Sequence, residues 1–270
     1  LVLMHEIAPK KKFGQNFLTD KSILERIISS AGRLQDKSIL EIGGGSGNLT
    51  KYLLEAKPKK LLVIEIDKDY IDILKSVLKS KSVETLLISD DVLHTDIYSY
   101  FSEPPVIFGN LPYNISTKIL AKLLVPANRK KNWEKLLLMF QLEVANRIVA
   151  APNTKQYGRL SLFSQFYSNP SLEFQIPKTS FFPIPKVESA LIKFQSNFKT
   201  YDEYNGVLFQ DIIKKSFQSR RKMIKNTLKN SYKDISTIME ICDIPENSRP
   251  ENINLQQFCK LTKEIDRLKV

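Results

Sequence analysis

Apolar runs alternate with helical patterns through the middle of the chain, from Ser38 to about Tyr167. We predict buried strands at the apolar runs 38–42, 61–66, 83–88, 106–108 and 136–140. The segments between them, such as 68–79 and 116–124, have helical periodicity. Because strands that alternate with helices usually pair in parallel, the pattern predicts an α/β fold with a doubly wound sheet. Two later apolar stretches, 160–167 and 189–194, are predicted to close this sheet as further strands.

The carboxyl-terminal part of the chain has a different pattern. From Tyr204 onward the periodicity is purely helical, interrupted by polar linkers near Asn230 and at 245–250. A domain boundary is therefore expected between about residues 195 and 206. We predict a larger α/β domain over residues 1–200 and a smaller all-helical domain over residues 201–270.

The chain is strongly basic. Its formal net charge of +12 indicates a polyanionic partner, nucleic acid before a membrane surface. The positive charge is clustered at Lys10, Lys11 and Lys12, at 129–131, at 214–215, and at Arg220, Arg221 and Lys222. Two alternatives stay open, a generally basic background and the solvated face of an amphipathic helix.

Several classes of protein are disfavoured by composition. The two cysteines, Cys242 and Cys259, lack metal-ligand spacing and are interpreted as reduced thiols in a cytoplasmic protein. With only His5 and His94, a zinc site or a histidine-based hydrolase is not expected, and we predict no metal. No apolar run is long enough to span a bilayer and no cleavable signal pattern opens the chain, so we predict no membrane association.

A glycine-rich turn follows the first strong strand. Glu41-Ile42-Gly43-Gly44-Gly45-Ser46-Gly47 opens a predicted helix, where glycines permit close approach of the backbone to a ligand. A dinucleotide-binding G-x-G-x-x-G pattern would need glycine at position 48, which is Asn48. The E-x-G-x-G-x-G spacing suits a smaller ligand with an adenosine, a carboxylate and an amine, namely S-adenosylmethionine.

Acidic residues end the next two strands. Glu65 lies about twenty residues after the turn, where a carboxylate can hold both ribose hydroxyls. Asp91 ends the third strand and is expected to accept from the amino group of the cofactor's adenine. The alternative for each is a solvated acid or a helix N-cap. Their order after the glycine turn favours the cofactor interpretation.

The fourth strand ends in Asn110-Leu111-Pro112-Tyr113, a turn suited to alkylation of an exocyclic amino group. The lone pair of adenine N6 is delocalised into the ring, so this amine is a poor nucleophile. The Asn110 side-chain oxygen and the Leu111 main-chain carbonyl are predicted to accept its N–H groups. Pro112 stiffens the turn, and Tyr113 offers a face for a flipped base. The alternative is an Asn-capped loop with Tyr113 in rim packing.

These motifs occur together with others in one order along the chain. They are Phe13-Gly14-Gln15-Asn16-Phe17-Leu18, the glycine turn, Glu65, Asp91, residues 110–117, residues 141–150, 157–160, Phe181-Phe182-Pro183-Ile184-Pro185-Lys186-Val187 and residues 217–222. Together they resemble the rRNA adenine N6,N6-dimethyltransferases of the KsgA type. The resemblance implies a Rossmann-like methyltransferase sheet and a helical RNA-binding domain. It also implies S-adenosylmethionine-dependent dimethylation of two adjacent adenosines in the hairpin loop at the 3′ end of small-subunit (16S) rRNA.

The resemblance also implies roles for individual residues. After a basic arm, the segment with Gln15, Asn16 and Leu18 would cover the cofactor. The other cofactor-binding residues would be Gly43, Gly45, Gly47, Glu65, Ile66, Asp91, Val92 and Asn110. Catalysis would use Asn110, Leu111, Pro112, Tyr113 and, as a second aromatic wall, Phe181. RNA would contact Lys10, Lys11, Lys12, Arg220, Arg221 and Lys222. Two departures are Gly44, where relatives commonly have proline, and residues 217–222, one residue longer than usual.

The expected partner is small-subunit rRNA within an immature small ribosomal subunit, bound by a monomer. One alternative keeps the chemistry and changes the RNA, namely a large-subunit rRNA adenine methyltransferase of the antibiotic-resistance type. Another is an assembly or transcription factor that keeps the fold and has lost catalysis. The presence of Asn110, Tyr113, Glu65 and Asp91 argues against this second alternative.

Overall fold

The computed structural model describes residues 15–79, 82–125, 133–196 and 203–268. Lys10, Lys11, Lys12 and the basic cluster 129–131 therefore lie outside the described residues. The strands are β1 (Phe17–Leu18), β2 (Ser38–Ile42), β3 (Lys60–Glu65), β4 (Glu84–Ser89), β5 (Val106–Asn110), β6 (Lys135–Gln141), β7 (Ser168–Ile176), β8 (Phe181–Phe182) and β9 (Ser189–Ser196). The α-helices are α1 (Lys21–Ala31), α2 (Asn48–Glu55), α3 (Ile71–Val77), α4 (Ser116–Leu124), α5 (Leu142–Val149), α6 (Arg159–Tyr167), α7 (Gly206–Ser216), α8 (Ile224–Leu228), α9 (Ile235–Ile241) and α10 (Leu255–Arg267).

Seven of the described strands form one sheet in the order β4-β3-β2-β5-β6-β9-β7. The strands from β4 to β6 are parallel, and β9 is antiparallel to β6. The strand order reverses at β2, which lies between β3 and β5. In doubly wound sheets this switch point, at the carboxyl ends of the strands, is where ligands bind. The predicted α/β fold is therefore confirmed, and it brings the glycine turn and the acidic strand ends to one edge.

One predicted strand is wrong. Residues 160–167 belong to the helix α6, and the strand β7 begins only at Ser168. The reason lies in the buried face of α6, which contains Ser161 and Ser164 beside Leu162 and Phe166. With polar residues on the buried side, hydrophobicity alone does not mark a helical face, and the short apolar run resembles a strand.

The hydrophobic core holds the sheet edge rigid. Helix α1 begins after Asp20, whose carboxylate accepts from the Ser22 and Ile23 main-chain N–H groups at 3.0 and 3.3 Å. The buried residues of α1 belong to one hydrophobic cluster with the sheet residues Ile39, Val63 and Phe108. Because buried side chains in a close-packed core resist movement, the loops at the strand ends are held on a fixed frame.

The chain divides into two compact units. The first consists of the residues up to Ala145 together with Ser171–Ser196, and the second of Asn146–Pro170 together with the residues from Asn197 onward. Within the second unit Phe166 stacks on Phe209 with ring centroids 4.0 Å apart, and the Tyr157 hydroxyl donates to the Ile253 carbonyl at 2.9 Å. The division into 1–200 and 201–270 stays a prediction. The second unit differs from it by containing the segment 146–170.

Candidate active site

A pocket lies at the carboxyl edge of the parallel strands of the first unit. It brings together twelve of the residues that the sequence assigns to cofactor binding or catalysis: Gln15, Asn16, Gly43, Gly45, Glu65, Ile66, Asp91, Val92, Asn110, Leu111, Pro112 and Tyr113. These residues come from five separate places in the chain, so their convergence is a product of the fold.

The glycine turn approaches the covering segment very closely. Gly45 has φ +49°, and a Cβ atom there would lie 2.7 Å from Cε1 of Phe17, closer than real contacts allow. A side chain at Gly44 would meet Cγ1 of Val63 at 2.6 Å. Gly44 therefore packs directly against the side chain of Val63. The turn is shaped to bring backbone, and not side chains, to the pocket.

Glu65 is a buried carboxylate at the end of β3, only 5% exposed. One oxygen accepts from the Gly45 N–H and the other from the Asp67 N–H, both at 2.8 Å. Burial raises the pKa of Glu65, and these main-chain donors oppose that shift. Because a carboxylate oxygen has two lone pairs, each can still accept a hydroxyl group. Glu65 is thus neither a solvated acid nor a helix N-cap in this structure.

A second buried acid lies beneath the turn. Glu41 is 1% exposed in β2, and its Oε2 accepts from the Thr50 hydroxyl at 2.7 Å. Burial raises the pKa of Glu41 to about 8, an effect to which the nearby charge of Glu65 contributes. Two acids in one dry region disfavour charge on both.

The loop after β4 is built by its own acidic side chains. Oδ1 of Asp91 accepts from the Leu93 N–H at 2.8 Å, and Asp90 accepts from the Thr95 hydroxyl at 3.0 Å. Asp91 therefore caps a turn of its own loop and also lines the pocket. Lys122 of α4 donates to the Leu93 and Thr95 carbonyls at 2.9 and 2.7 Å. This one side chain ties the loop to α4.

Asn110 lies at the end of β5 and lines the pocket. Its Nδ2 donates to the main-chain carbonyl of Asn16 at 2.7 Å. The following turn is closed by the Ile115 N–H, which donates to the Pro112 carbonyl at 3.1 Å, and by the Ser116 hydroxyl, which donates to the Tyr113 carbonyl. The predicted catalytic turn, residues 110–113, therefore forms a tight turn just before α4, and hydrogen bonds to its own carbonyl groups close it.

Tyr113 is half-buried in the same turn. Its hydroxyl forms a 2.6 Å hydrogen bond with that of Ser189, the first residue of β9. Burial raises the pKa of Tyr113, and the negative charge of Glu188 adds to the shift. The phenol is therefore neutral at physiological pH. Its hydrogen bond to Ser189 ties the side chain to the start of β9.

Three predicted residues lie outside the pocket lining. Leu18 and Phe181 are paired across β1 and β8, and both are buried in the core. Residues opposite one another in a ladder share a face, so Phe17 and the 61% exposed Phe182 lie on the other one. Gly47, with φ +75°, precedes α2 as its N-cap. None of the three lines the pocket, and their assignment to the site stays a prediction.

Sequence reasoning missed six residues of the lining, namely Phe17, Ile42, Ile64, Asp90, Ile115 and Ile119. Ile42, Ile64 and Asp90 are direct neighbours of predicted residues at strand ends, and Phe17 and Ile115 lie within motifs of the family resemblance. Ile119 carries no sequence signal of its own, because an isoleucine in a helix usually packs in the core.

The basic residues of the second unit differ from one another. The Arg220 guanidinium donates to the Tyr157 carbonyl at 2.9 Å and to the Lys155 carbonyl at 3.2 Å, and Glu251 lies 3.1 Å away. Arg221 and Lys222 are exposed, and within the described chain neither makes an ion pair. Arg220 is therefore bonded to its own unit, while its two neighbours are open to solvent.

The described residues contain no group of three or more His, Cys, Asp or Glu side chains that could hold a metal ion. None of their helices has both the length and the apolar character needed to cross a membrane.

Comparison with known proteins identifies the family. The sequence profile of the ribosomal RNA adenine dimethylase family matches residues 7–267. This chain belongs to that family. The ribosomal RNA small subunit methyltransferase A of Pelagibacter ubique (strain HTCC1062) is 39% identical over 266 residues, covering 97% of this chain and 99% of the relative. The protein of the same name from Anaplasma phagocytophilum (strain HZ) is 38% identical over 257 residues, covering 95% and 94%.

Solved structures have the same fold. A dimethyladenosine transferase from Plasmodium falciparum is similar with a TM-score of 0.81 and 26% identity, covering 94% of this chain and 98% of that one. The 23S rRNA methyltransferase ErmE is similar with a TM-score of 0.71 and 22% identity, covering 93% and 100%. The second likeness shows the fold alone. The predicted Rossmann-like methyltransferase sheet is confirmed. The predicted enzyme class, an S-adenosylmethionine-dependent rRNA adenine dimethyltransferase, is confirmed by the family and by the small-subunit relatives.

Proposed function

We propose that this chain uses S-adenosylmethionine to dimethylate the N6 amino groups of two adjacent adenosines in the 3′-terminal hairpin loop of small-subunit (16S) rRNA. Membership of the ribosomal RNA adenine dimethylase family supports the reaction, and near full-length similarity to small-subunit methyltransferases supports the RNA. The observation that carries the proposal is the pocket that joins Gly45, Glu65 and Asp91 to Asn110 and Tyr113.

The residues present fit the cofactor. Glu65 is a buried carboxylate with lone pairs left after its two main-chain bonds, as ribose hydroxyls require. Gly43 and Gly45 keep side chains away from the pocket, and Ile66, Val92 and other apolar residues supply surface for a base. When bound, S-adenosylmethionine supplies an activated methyl group, so the protein needs no strong base or nucleophile of its own.

The work of the catalytic turn is placement. We propose that the Asn110 amide oxygen and the Leu111 main-chain carbonyl accept the two N–H bonds of the target amine and draw its nitrogen toward tetrahedral geometry. Tyr113 would stack on the flipped base. Holding amine and methyl carbon in line in a site with little water accounts for much of a rate enhancement without acid–base chemistry. The proton would leave to water after the nitrogen has been alkylated.

The test separates rate from binding. Asn110→Ala is expected to slow single-turnover methyl transfer at least about 100-fold, the scale of losing a preorganised hydrogen-bonding group, with cofactor and RNA affinities within a few-fold of the parent. Tyr113→Ala should weaken capture of the flipped base by roughly 1–3 kcal/mol. Mass spectrometry of adenosine, N6-methyladenosine and N6,N6-dimethyladenosine reads both effects.

The neighbouring residue provides a matched control. Asn114 is exposed in the same turn, so Asn114→Ala should transfer methyl groups at the parental rate. Substrates should include immature small subunits and large subunits, because the ErmE-like fold alone does not distinguish them. A near-parental rate for Asn110→Ala would refute the catalytic turn, and preference for large subunits would refute the proposed RNA.

The remaining assignments follow from this substrate. We propose that the enzyme acts as a monomer on an immature small ribosomal subunit in ribosome biogenesis, and therefore in the cytoplasm where such particles assemble. The exposed Arg221 and Lys222 support an RNA backbone footprint on the second, mainly helical unit, which we call the helical unit. Lys10, Lys11 and Lys12 belong to the same proposal from their charge alone.

A further inference from the structure

The Asn110 amide has two ends of similar size and opposite hydrogen-bonding character. Its oxygen can accept from an amine, whereas its nitrogen only donates and would face the N–H groups of the target as a second donor. A catalytic role for Asn110 therefore requires that the amide be held in one of two orientations, which differ by a half-turn of the terminal bond. The side chain alone does not choose between them.

The main-chain carbonyl of Asn16 makes this choice. Nδ2 of Asn110 lies 2.7 Å from that oxygen. Because a carbonyl oxygen can only accept, the opposite orientation would place two oxygens face to face at hydrogen-bond distance. The bond thus fixes the nitrogen on the side of Asn16 and leaves Oδ1 on the other side of the amide. Both residues line the same pocket, so the contact is made where the amine would be presented.

The carbonyl is itself held from both sides. Before it, the Gln15 amide donates to the buried Asp67 carboxylate at 2.8 Å. After it, the Asn48 amide donates to the Leu18 carbonyl at 2.8 Å, and the Thr19 N–H donates to the Ser180 carbonyl at 2.9 Å. Residues 15–19, which we call the strap, are therefore fixed to the loop after β3, to α2 and to the segment before β8.

We propose that the Asn16 main-chain carbonyl is the positioning group that sets the Asn110 amide for methyl transfer, with Asn48 acting as a positioning residue through the strap. The proposal rests on the catalytic role proposed for Asn110. It gives the strap a second task beside covering the cofactor, because any displacement of the strap also releases the amide. Cofactor binding beneath the strap and presentation of the amine are in this way coupled through one hydrogen bond.

A single-atom change tests the acceptor. Incorporation of phenyllactic acid in place of Phe17 converts the Asn16–Phe17 amide into an ester, whose carbonyl is a weaker acceptor, and leaves the side chains unchanged. At saturating S-adenosylmethionine we expect single-turnover transfer to slow about 3–10-fold, the range for most of one net hydrogen bond, with cofactor affinity unchanged.

A double-mutant cycle shows whether the effect passes through Asn110. In the Asn110→Ala background the position-17 ester should cause no further slowing. Equal slowing in both backgrounds would mean that the ester acts on the strap alone, and this result would overturn the proposal, as would a parental rate for the ester with Asn110 present. A parental rate for Asn110→Ala itself would instead reject the catalytic turn. The encoded variant Asn48→Ala carries the same cycle if the ester protein does not fold.

Discussion

Replacing Glu65 by glutamine is expected to weaken S-adenosylmethionine binding while leaving the sheet intact. Both carboxylate oxygens accept main-chain N–H groups at 2.8 Å and the side chain lines the pocket. Glutamine keeps this shape, but one of its two ends is an NH₂ group. That end faces a main-chain N–H and cannot accept from a ribose hydroxyl, so one cofactor bond is lost and one buried donor is left without an acceptor.

The magnitude follows from the bond that is lost. A hydrogen bond to a buried charged group contributes roughly 1–3 kcal/mol, so the dissociation constant should rise about 5–150-fold. The parent should also have a pH dependence. Because burial raises the pKa of Glu65 and the ionised form accepts from ribose, affinity should fall as the pH is lowered through that raised pKa. The Glu65→Gln variant should lack this fall.

Isothermal titration calorimetry across a pH series measures both effects. Glu84 provides the matched control, since it lies at the start of β4, is largely exposed and pairs with Lys60 outside the pocket. Glu84→Gln should bind like the parent. Circular dichroism melting establishes that each variant is folded. A folded Glu65→Gln protein with parental affinity and a parental pH profile would refute the role assigned to this carboxylate.

Three further predictions concern residues around the site and on the helical unit. Lys122→Met should weaken cofactor binding about 3–10-fold in calorimetry, because the loop that carries Asp91 loses its two bonds to α4. Glu41→Gln should reduce the pH dependence of unfolding in denaturant. With the pKa of Glu41 raised to about 8, the parent should lose stability as the pH rises from the ordinary glutamate range to about 8. Joint replacement of Arg221 and Lys222 by alanine should flatten the salt dependence of RNA binding by about one unit of slope per lost phosphate contact.

A control variant or a contradicting outcome accompanies each of these three predictions. Lys118→Met changes an exposed lysine of the same helix and should leave cofactor affinity at the parental value. If Glu41→Gln keeps the parental dependence of unfolding free energy on pH, groups other than Glu41 cause that dependence. Arg220→Ala should lower thermal stability, because it removes the bonds to Lys155, Tyr157 and Glu251. If it changed only the salt dependence of RNA binding, the structural role of Arg220 would be contradicted.

The sequence predicts the catalytic unit well where residue type and position carry the same signal. The strands that end at Ile42, Glu65 and Asn110 are apolar runs followed by polar or glycine residues, a pattern that determines both the element and the end at which ligands bind. The family resemblance adds the ligand and reaction, which such a pattern alone does not specify. What sequence cannot give is the direction of side chains on short strands, as with buried Phe181 and exposed Phe182.

Long-range contacts are the other part that sequence reasoning misses. The bond between Asn110 and the Asn16 carbonyl joins residues 94 positions apart, and no local propensity encodes it. The same is true of Arg220, whose charge predicts an RNA contact while the fold supplies acceptors from residues 155, 157 and 251. In both cases residue type gives the capacity for an interaction, and tertiary structure decides the partner.

The helical unit is built from two separate stretches of the chain, and this affects both its synthesis and its expression as a fragment. Phe166 and Tyr157 leave the ribosome well before Phe209 and Ile253, the groups against which they are buried. A polypeptide that starts after residue 200 lacks them altogether, so the carboxyl-terminal helices expressed as a separate fragment would expose the face of Phe209 that Phe166 covers. Cutting the gene at that point would produce a fragment prone to aggregate, whereas a fragment that also carried residues 146–170 would include both halves of its core.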